Sequence, residues 1–490
     1  MRRIFLPLIS LMLLLFAASC SDFLDLEPIS EATDQTFWDT QDDANSAVAA
    51  MYALTRQAFN YSNGATFYAY GDLPSDEFGA VSDTYFEDVR LMNWSRAVAS
   101  SETTNVLYRL RRYDLFYRII DQANRVIQRL PEMDASAFSS TSAYNHLLGE
   151  AYFMRAFTYF FMARVWGAVP LVITSVPTTE AMDVPVSSVE EVLTQVRADI
   201  DAAKPLLSWN NLSSADFSVR GNKGALFALE AHYAAWIGEY ETCSSAADSV
   251  IQSGRYSYVG RDSVSYRRIF AGQSAEGIFE ISQNADNEGS NLGIGSFTLI
   301  APYIRDETAP TFQMVSNRMD VLFDESGDLR KQNAFNVRAN PSYAICTKYA
   351  NVSYTAEGSS GVRIFKNNIV VFRYADIVLL RAEALAATGR NAEAMSLLNE
   401  VRGRAGLPVW NQNGDLFEEV IQERARELFL EGHRFYDLIR LARHSGRVQY
   451  IADKMNDAEF AEGKYFWPFD PTLMVLNPLL RQTPYWASVN

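Results

Sequence analysis

Cysteine and histidine are scarce in this chain, and much metal and nucleophilic chemistry goes with them. Only three cysteines, Cys20, Cys243 and Cys346, occur in 490 residues, too few for a disulfide framework in so long a chain. A single bridge between Cys243 and Cys346 is not expected. The four histidines, His146, His232, His433 and His444, form no H-E-x-x-H pattern, and no C-x-x-C occurs, so neither a zinc site nor any other cofactor is expected. Its glycine-rich "GSNLGIGS" lacks the G-K-[ST] ending of a phosphate cradle, and there is no G-x-S-x-G elbow. Positive charge is short as well: 43 Lys and Arg face 59 Asp and Glu, a net charge of -16. Such a globule is a poor partner for nucleic acid or an anionic leaflet. Beyond the first twenty residues no apolar run has spanning length.

What is present starts with a leader. Met1, Arg2 and Arg3 precede an apolar run from Ile4 to Phe16 and the small residues Ala17, Ala18 and Ser19. A spanning helix needs ~20 apolar residues, so 1–19 reads as an export signal, not an anchor. Its loss takes the net charge to -18, because Arg2 and Arg3 leave with it. Cys20 follows the small residues directly, and the junction resembles the lipobox of bacterial lipoproteins, with Ala17 where leucine is usual. The resemblance implies that Cys20 becomes an acylated N-terminus, a tether to the lipid.

Most of the remaining chain has helical period. In "DQANRVIQRL" the residues Ala123, Val126, Ile127 and Leu130 fall on one face, and "AYNHLLGEAYFMRAFTYFFMARVWG" is apolar nearly all round, so it is expected in the centre. Gly167 and Pro170 end that helix, and Ser188 with Glu191 writes a capping box for another. A repeat sharpens the picture. Ala231, Gly238 and Cys243 stand at the same offsets as Ala382, Gly389 and Ala394. Small residue, turn glycine, small residue is the pattern of a tetratricopeptide helical hairpin, in which Cys243 fills a packing slot. The expected fold is mainly α, a tetratricopeptide-like hairpin scaffold with irregular, partly β insertions.

Helical period fades in two places. One is the aromatic stretch "YSNGATFYAYGDLPSDEFGAVSDTYFEDVRLMNWSR", within a loop taken as 61–105; the other runs from about 257 to 371, where "IFEIS" and "NNIVVF" suggest strands. Long loops in compact proteins are functional or disordered, and the density of Tyr, Phe and Trp argues for order.

Several blocks resemble the SusD/RagB family: "CSDFLDLEP", "DTQDDANSAVAAMY", "GEAYFMRAFTYFFMARVWGAVPL", "FRYADIVLLRAEALAATGRNAEAMSLLNEVRGRAGLP", "ERARELFLEGHRFYDLIR" and "YFWPFDPTLMVLNPLL". They run from Cys20 almost to the last residue. The resemblance implies a surface lipoprotein of the outer membrane of Bacteroidetes-type bacteria. It also implies irregular loops that bind nutrient, usually oligosaccharide and in some members peptide, and a lid-like association with a SusC-like TonB-dependent barrel transporter. On this reading the chain divides into a signal (1–19), a tether (20–40), an N-terminal helical region (41–256), a candidate binding insertion (257–371) and a C-terminal helical region (372–490).

A sugar site needs aromatic rings for the C–H faces and polar side chains for the hydroxyls. Tyr85, Phe86, Arg90, Asn93 and Trp94 lie within ten residues, and Tyr303, Arg305, Asp306 and Phe312 form a second group. Both groups are expected on one face, with Trp94 and Tyr303 as stacking platforms. The rival is a glycoside hydrolase: Glu423, Glu427 and Glu431 fall at i, i+4 and i+8 and could supply an acid/base pair. Arg424, Arg426 and Arg434 among them favour exposed or partly buried ion pairs instead, and Arg373 with Asp376 reads the same way.

Overall fold

The computed structural model of the chain describes residues 37–176, 183–283, 288–340, 342–357 and 361–489; the leader and Cys20 lie outside them. Helix α1 (Gln41–Asn60) opens on a capping box in which the Thr40 hydroxyl accepts from the Asp43 N–H and the Asp43 carboxylate accepts from the Thr40 N–H. It packs on α2 (Asp114–Arg129), whose buried stripe includes Phe116, Ile119, Ile120, Ala123 and Val126. The apolar helix α3 (Thr141–Val165) takes the centre, between α2 and α4 (Val189–Ala203), and its second half is buried on every side. Gly167, at a φ of +75°, turns the chain out of it. The predicted box opens α4: the Ser188 hydroxyl accepts from the Glu191 N–H, and the Glu191 carboxylate accepts from the Ser188 N–H.

Both predicted hairpins form. The first is α5 (Lys223–Ile237) with α6 (Tyr240–Gln252), the second α7 (Tyr374–Ala387) with α8 (Asn391–Arg404). Gly238 and Gly389 take φ values of +81° and +76° at the turns. Ala231, Cys243, Ala382 and Ala394 are wholly buried, so the small side chains do let the backbones close. Helix α6 packs on α7, with the Cys243 thiol against the Leu380 carbonyl, and the two hairpins lie side by side although about 120 residues separate them. Cys243 and Cys346 are both free, and burial pushes both thiols up, so neither is a reactive thiolate. Helices α9 (Leu416–Glu427) and α10 (Arg434–Ser445) complete the C-terminal layer. The fold is mainly α, as expected.

The strands are few and short. Gly277–Ile281 and Ile369–Arg373, the two apolar runs read from the sequence, pair antiparallel and are fully buried. A four-stranded antiparallel sheet follows the order Ala80–Val81, Phe312–Val315, Tyr343–Cys346, Phe335–Asn336.

The stretch after α1 corrects the expectation of a continuous irregular loop. Thr66–Gly71 is a short helix with all six residues buried, because Phe67, Tyr68 and Tyr70 anchor it against Phe59, Phe161, Tyr349 and Trp166. Its end meets the chain between α9 and α10 so closely that a Cβ on Gly71 would lie 2.2 Å from the Gly432 carbonyl oxygen. Gly432 itself has a φ of +80°, and a Cβ there would lie 2.2 Å from Phe67. Gly432→Ala therefore combines left-handed strain with overpacking and is expected to cost about 2–4 kcal/mol. Gly446→Ala, at a φ of +74° with nothing within 4 Å, is expected to cost only the strain. Urea midpoints compare the two, and equal losses would contradict this reading of the contact.

Candidate ligand-binding face

The two aromatic groups are brought together, though not in the way their spacing suggested. Ala80 and Val81 pair with Gln313 and Phe312, so the segment carrying Tyr85 hangs from the strand that follows Asp306. Behind this junction the rings of Phe86, Phe297 and Phe312 lie 5.0–5.1 Å apart. Phe312 is therefore a buried anchor and not a ligand contact, which corrects its assignment. Trp94 is corrected too. It is fully buried, its ring stacks on Trp467 at 4.2 Å, and its indole N–H donates to the Val89 carbonyl at 2.9 Å. No face of it is left for a sugar, so the pair of platforms, Trp94 and Tyr303, does not exist.

The other named residues stay nearer the surface. Tyr85 is half-buried, with the Arg96 guanidinium 5.3 Å from its ring centre and its hydroxyl donating to Glu102. Arg90 is bonded to Glu87, and exposed Asn93 donates to Asp88 at 3.3 Å. Tyr303 is half-buried against a satellite cluster of Leu299, Ile300, Ile304, Ile345 and Phe365, and its hydroxyl accepts from the Asn336 amide at 2.9 Å. Arg305 is exposed with its guanidinium 4.0 Å over the Tyr354 ring, and Asp306 is exposed at a φ of +63°.

A concavity lies beside α1, and its residues escape the sequence reading. An open groove of about 550 Å³ lies between α1 and the segment after 287, lined by Leu54, Arg56, Gln57, Asn60, Glu288 and Ser290 among others. Arg56 crosses it, donating to Glu288 at 2.8 Å and to the Ser282 carbonyl at 3.1 Å. The buried Asn60 side-chain oxygen has no partner among the described residues. At its end, half-buried Tyr61 lies under the Arg109 guanidinium, 4.8 Å from the ring centre, and exposed Asn63 sits beside them. Gly64 holds the two walls together: a Cβ there would lie 2.3 Å from the Gly293 nitrogen. The signal lies in "RQAFNYSNG", a helix end in which Arg56, Gln57, Asn60, Tyr61 and Asn63 are polar or aromatic in succession.

The three carboxylates belong to the interior, and Glu431 stands beyond the end of α9, in the turn before α10, rather than on one helix with the other two. Glu423, Glu427 and Glu431 are buried, more deeply than the expected exposed or partly buried pairs. Arg330 donates to Glu423 and Glu427, Arg373 to Glu427 and Glu431, and Lys348 to Glu431. Burial alone would push Glu427 up, yet Arg373 and Arg330 overcome it and leave its carboxyl at about 2. Such a group holds no proton to give at neutral pH. Arg373 and Asp376 do not pair with each other, a further correction: Arg373, at the end of its strand, reaches Glu276, Glu427 and Glu431, while Asp376, in the first turn of α7, reaches His232 and Arg424.

His232, Asp376 and His433 bring their donor atoms within 4.8 Å of one another. A cation there would meet the Arg424 guanidinium, which already donates to the Asp376 carboxylate at 2.9 Å. The cluster instead gives the fold an acid limit. Burial lowers the His433 imidazole to about 4, against the pull of Asp376, and lowers His232 as well. An unfolded histidine protonates near 6.5, so their contribution to stability is complete above that pH and is lost as pH falls toward 4. His433→Gln is expected to remove about 2–3 kcal/mol of the loss between pH 7 and 4.5. Denaturation midpoints across that range measure it, and an unchanged pH slope would contradict it.

Comparison with known proteins agrees with this architecture. Residues 22–233 match a family described as starch-binding and associating with the outer membrane, and residues 313–486 match the SusD family. SusD-like protein P38 of Formosa agariphila is 29% identical, covering 98% of both chains. A SusD-like protein of Bacteroides ovatus is 23% identical over 90% of this chain and 82% of its own. Among solved structures, a SusD homolog from Bacteroides thetaiotaomicron superposes with a TM-score of 0.78 at 25% identity, over 91% of this chain and 98% of that one. NanU of B. fragilis gives 0.71 at 23% identity, over 94% and 99%. With both halves matched, the hairpin scaffold shared and relatives aligned from end to end, the chain belongs to the SusD-like family.

Proposed function

We propose that this protein captures oligosaccharide at the cell surface without cleaving it and passes it to a SusC-like TonB-dependent barrel in the outer membrane. The observation that carries the reading is the concavity beside α1. Arg56, Gln57, Asn60 and Ser290 offer hydrogen bonds along it, and the Tyr61 ring stands at its end with Asn63 and Arg109. An open groove whose charged lining residues, Arg56 and Glu288, are bonded to each other suits a chain of hydroxyl-bearing rings. The starch-binding description of the family matching residues 22–233 supports the same ligand class. Tyr85, Arg90, Asn93, Tyr303, Arg305 and Asp306 form the wider rim, and the insertion 257–371 supplies one wall. Cys20 holds the body to the membrane by its acyl chains, so that captured ligand stays near the transporter.

Catalysis has no support in Glu423, Glu427 and Glu431, which are tied to arginine and lysine. The test is to incubate the soluble body, lacking residues 1–20, with a panel of glycans and of peptides. Retention of a glycan with no new reducing ends is the expected result. New reducing ends would make the protein a hydrolase, and retention of peptides alone would change the ligand class.

A further inference from the structure

A second, smaller depression lies apart from the α1 groove, between Phe312–Val315, the short helix Ser316–Leu322, α9 and the chain after α10. It is lined by Met314, Arg318, Leu322, Gln422, Arg434 and Tyr450, with Asp76, Glu77, Val321, Ala425 and Arg426 completing the wall, and encloses about 80 Å³. That is room for a carboxylate but not for a whole sugar ring.

Its charges are unusual for a protein of net charge -16, because three guanidiniums converge on one small space. Two of them are committed. Arg434 is bonded to both oxygens of Asp76 at 2.8 and 3.0 Å, and Arg426 to Glu423 and Glu419 at 2.9 and 2.6 Å. Arg318 differs. Its side chain is one-third exposed, and its one ion contact among the described residues is Asp76 at 3.6 Å, too long for a good hydrogen bond. Beside it, the buried Gln422 amide nitrogen has no partner among the described residues. The remaining carboxyl group, Glu77, is buried and already accepts from the Leu430 N–H, and burial with the neighbouring Asp72 and Asp76 pushes it up. Free donors thus outnumber free acceptors. At the mouth, Tyr450 is 42% exposed, its hydroxyl fixed on Glu418 at 2.6 Å and Arg434 5.3 Å from its ring centre, and Val321 is 71% exposed.

We infer that this depression binds the carboxylate of a uronic-acid unit, with Arg318 and the Gln422 amide as donors and the sugar ring lying on Tyr450. This deepens the oligosaccharide reading and rests on it. A carboxylate is planar and accepts two parallel N–H bonds from a guanidinium, and a ring carrying it would cover the exposed aromatic face. Arg318 is a binding residue here, and its loss leaves the α1 groove untouched.

Trigalacturonate and its fully methyl-esterified form are the probes, since esterification removes the charge and keeps the rings. Calorimetry reads affinity, and the ¹³C-labelled methyl of Met314 reports locally. The acid is expected to bind about tenfold tighter than the ester and to shift Met314. Arg318→Gln is expected to abolish that preference with an unchanged melting temperature, and Tyr450→Ala to weaken both forms. Equal binding of acid and ester, unaffected by Arg318→Gln, would overturn the carboxylate site while leaving oligosaccharide capture standing. A Met314 resonance that no galacturonate moves would overturn it also. A shift produced by trialanine but not by its C-terminal amide, with galacturonate silent, would overturn both the uronate assignment and the sugar reading of this face.

Discussion

Arg373→Met is expected to destabilise the fold by about 3–5 kcal/mol, more than the loss expected of Gly432→Ala. Arg373 is wholly buried and donates to Glu431 at 2.6 and 3.0 Å, to Glu276 and Glu427 at 2.9 Å, and to the Glu427 carbonyl at 2.9 Å. Methionine fills much of the same volume but leaves those carboxylates with less positive charge. Arg330 still serves Glu427 and Lys348 still serves Glu431, whereas among the described residues Glu276 keeps only the Val259 N–H at 3.2 Å. The cost arises because an uncompensated charge is far less stable in the interior than in water. Two consequences separate this from simple loss of packing. The variant gains stability relative to the parent as pH falls, because its carboxyls now take up protons more readily. Glu276→Gln in the same chain restores part of the loss by removing the stranded charge. Urea unfolding of the parent, the single variant and the double variant measures all three; a loss below about 1 kcal/mol would mean that the network contributes little.

The second large effect concerns location. Cys20→Ser is expected to move the protein from the membrane fraction to the soluble fraction almost completely. Among the described residues no helix is long and apolar enough to cross a membrane. Each acyl CH₂ buried contributes about 0.8 kcal/mol, one chain is marginal, and several chains hold firmly. Fractionation of cells labelled with radioactive palmitate reads both the modification and the location. An unlabelled parent, or a serine variant that still sediments with membranes, would contradict the tether.

Readable features of the sequence are those whose partners are close in the chain. The capping box Ser188/Glu191 and the hairpin offsets around Gly238 and Gly389 depend on a few neighbouring residues, and each forms as read. Side chains that meet distant partners are misread. Trp94 carries no mark in its own neighbourhood that Trp467 will cover it, and the rings in the supposed loops are what fasten those loops to the core. Spacing offers Glu423, Glu427 and Glu431 only the arginines interleaved among them, yet Arg330, Lys348 and Arg373 enter from 54 to 97 positions away. Burial follows from these long-range partners, and local spacing does not encode them. On the proposed ligand face the polar–aromatic end of α1 is visible in the sequence, but only the apposition of Gly64 and Gly293 makes it one wall of a groove.

Oligosaccharide capture in the groove between α1 and the segment after 287 is the central claim, and calorimetry on Tyr61→Ala and Gln57→Ala tests it most directly. For a glycan retained by the parent body, each variant is expected to lose about tenfold or more in affinity, with the melting temperature of the ligand-free protein unchanged and the glycan recovered at full length. Parental affinity in both variants, or recovery of shortened glycan, would contradict the account.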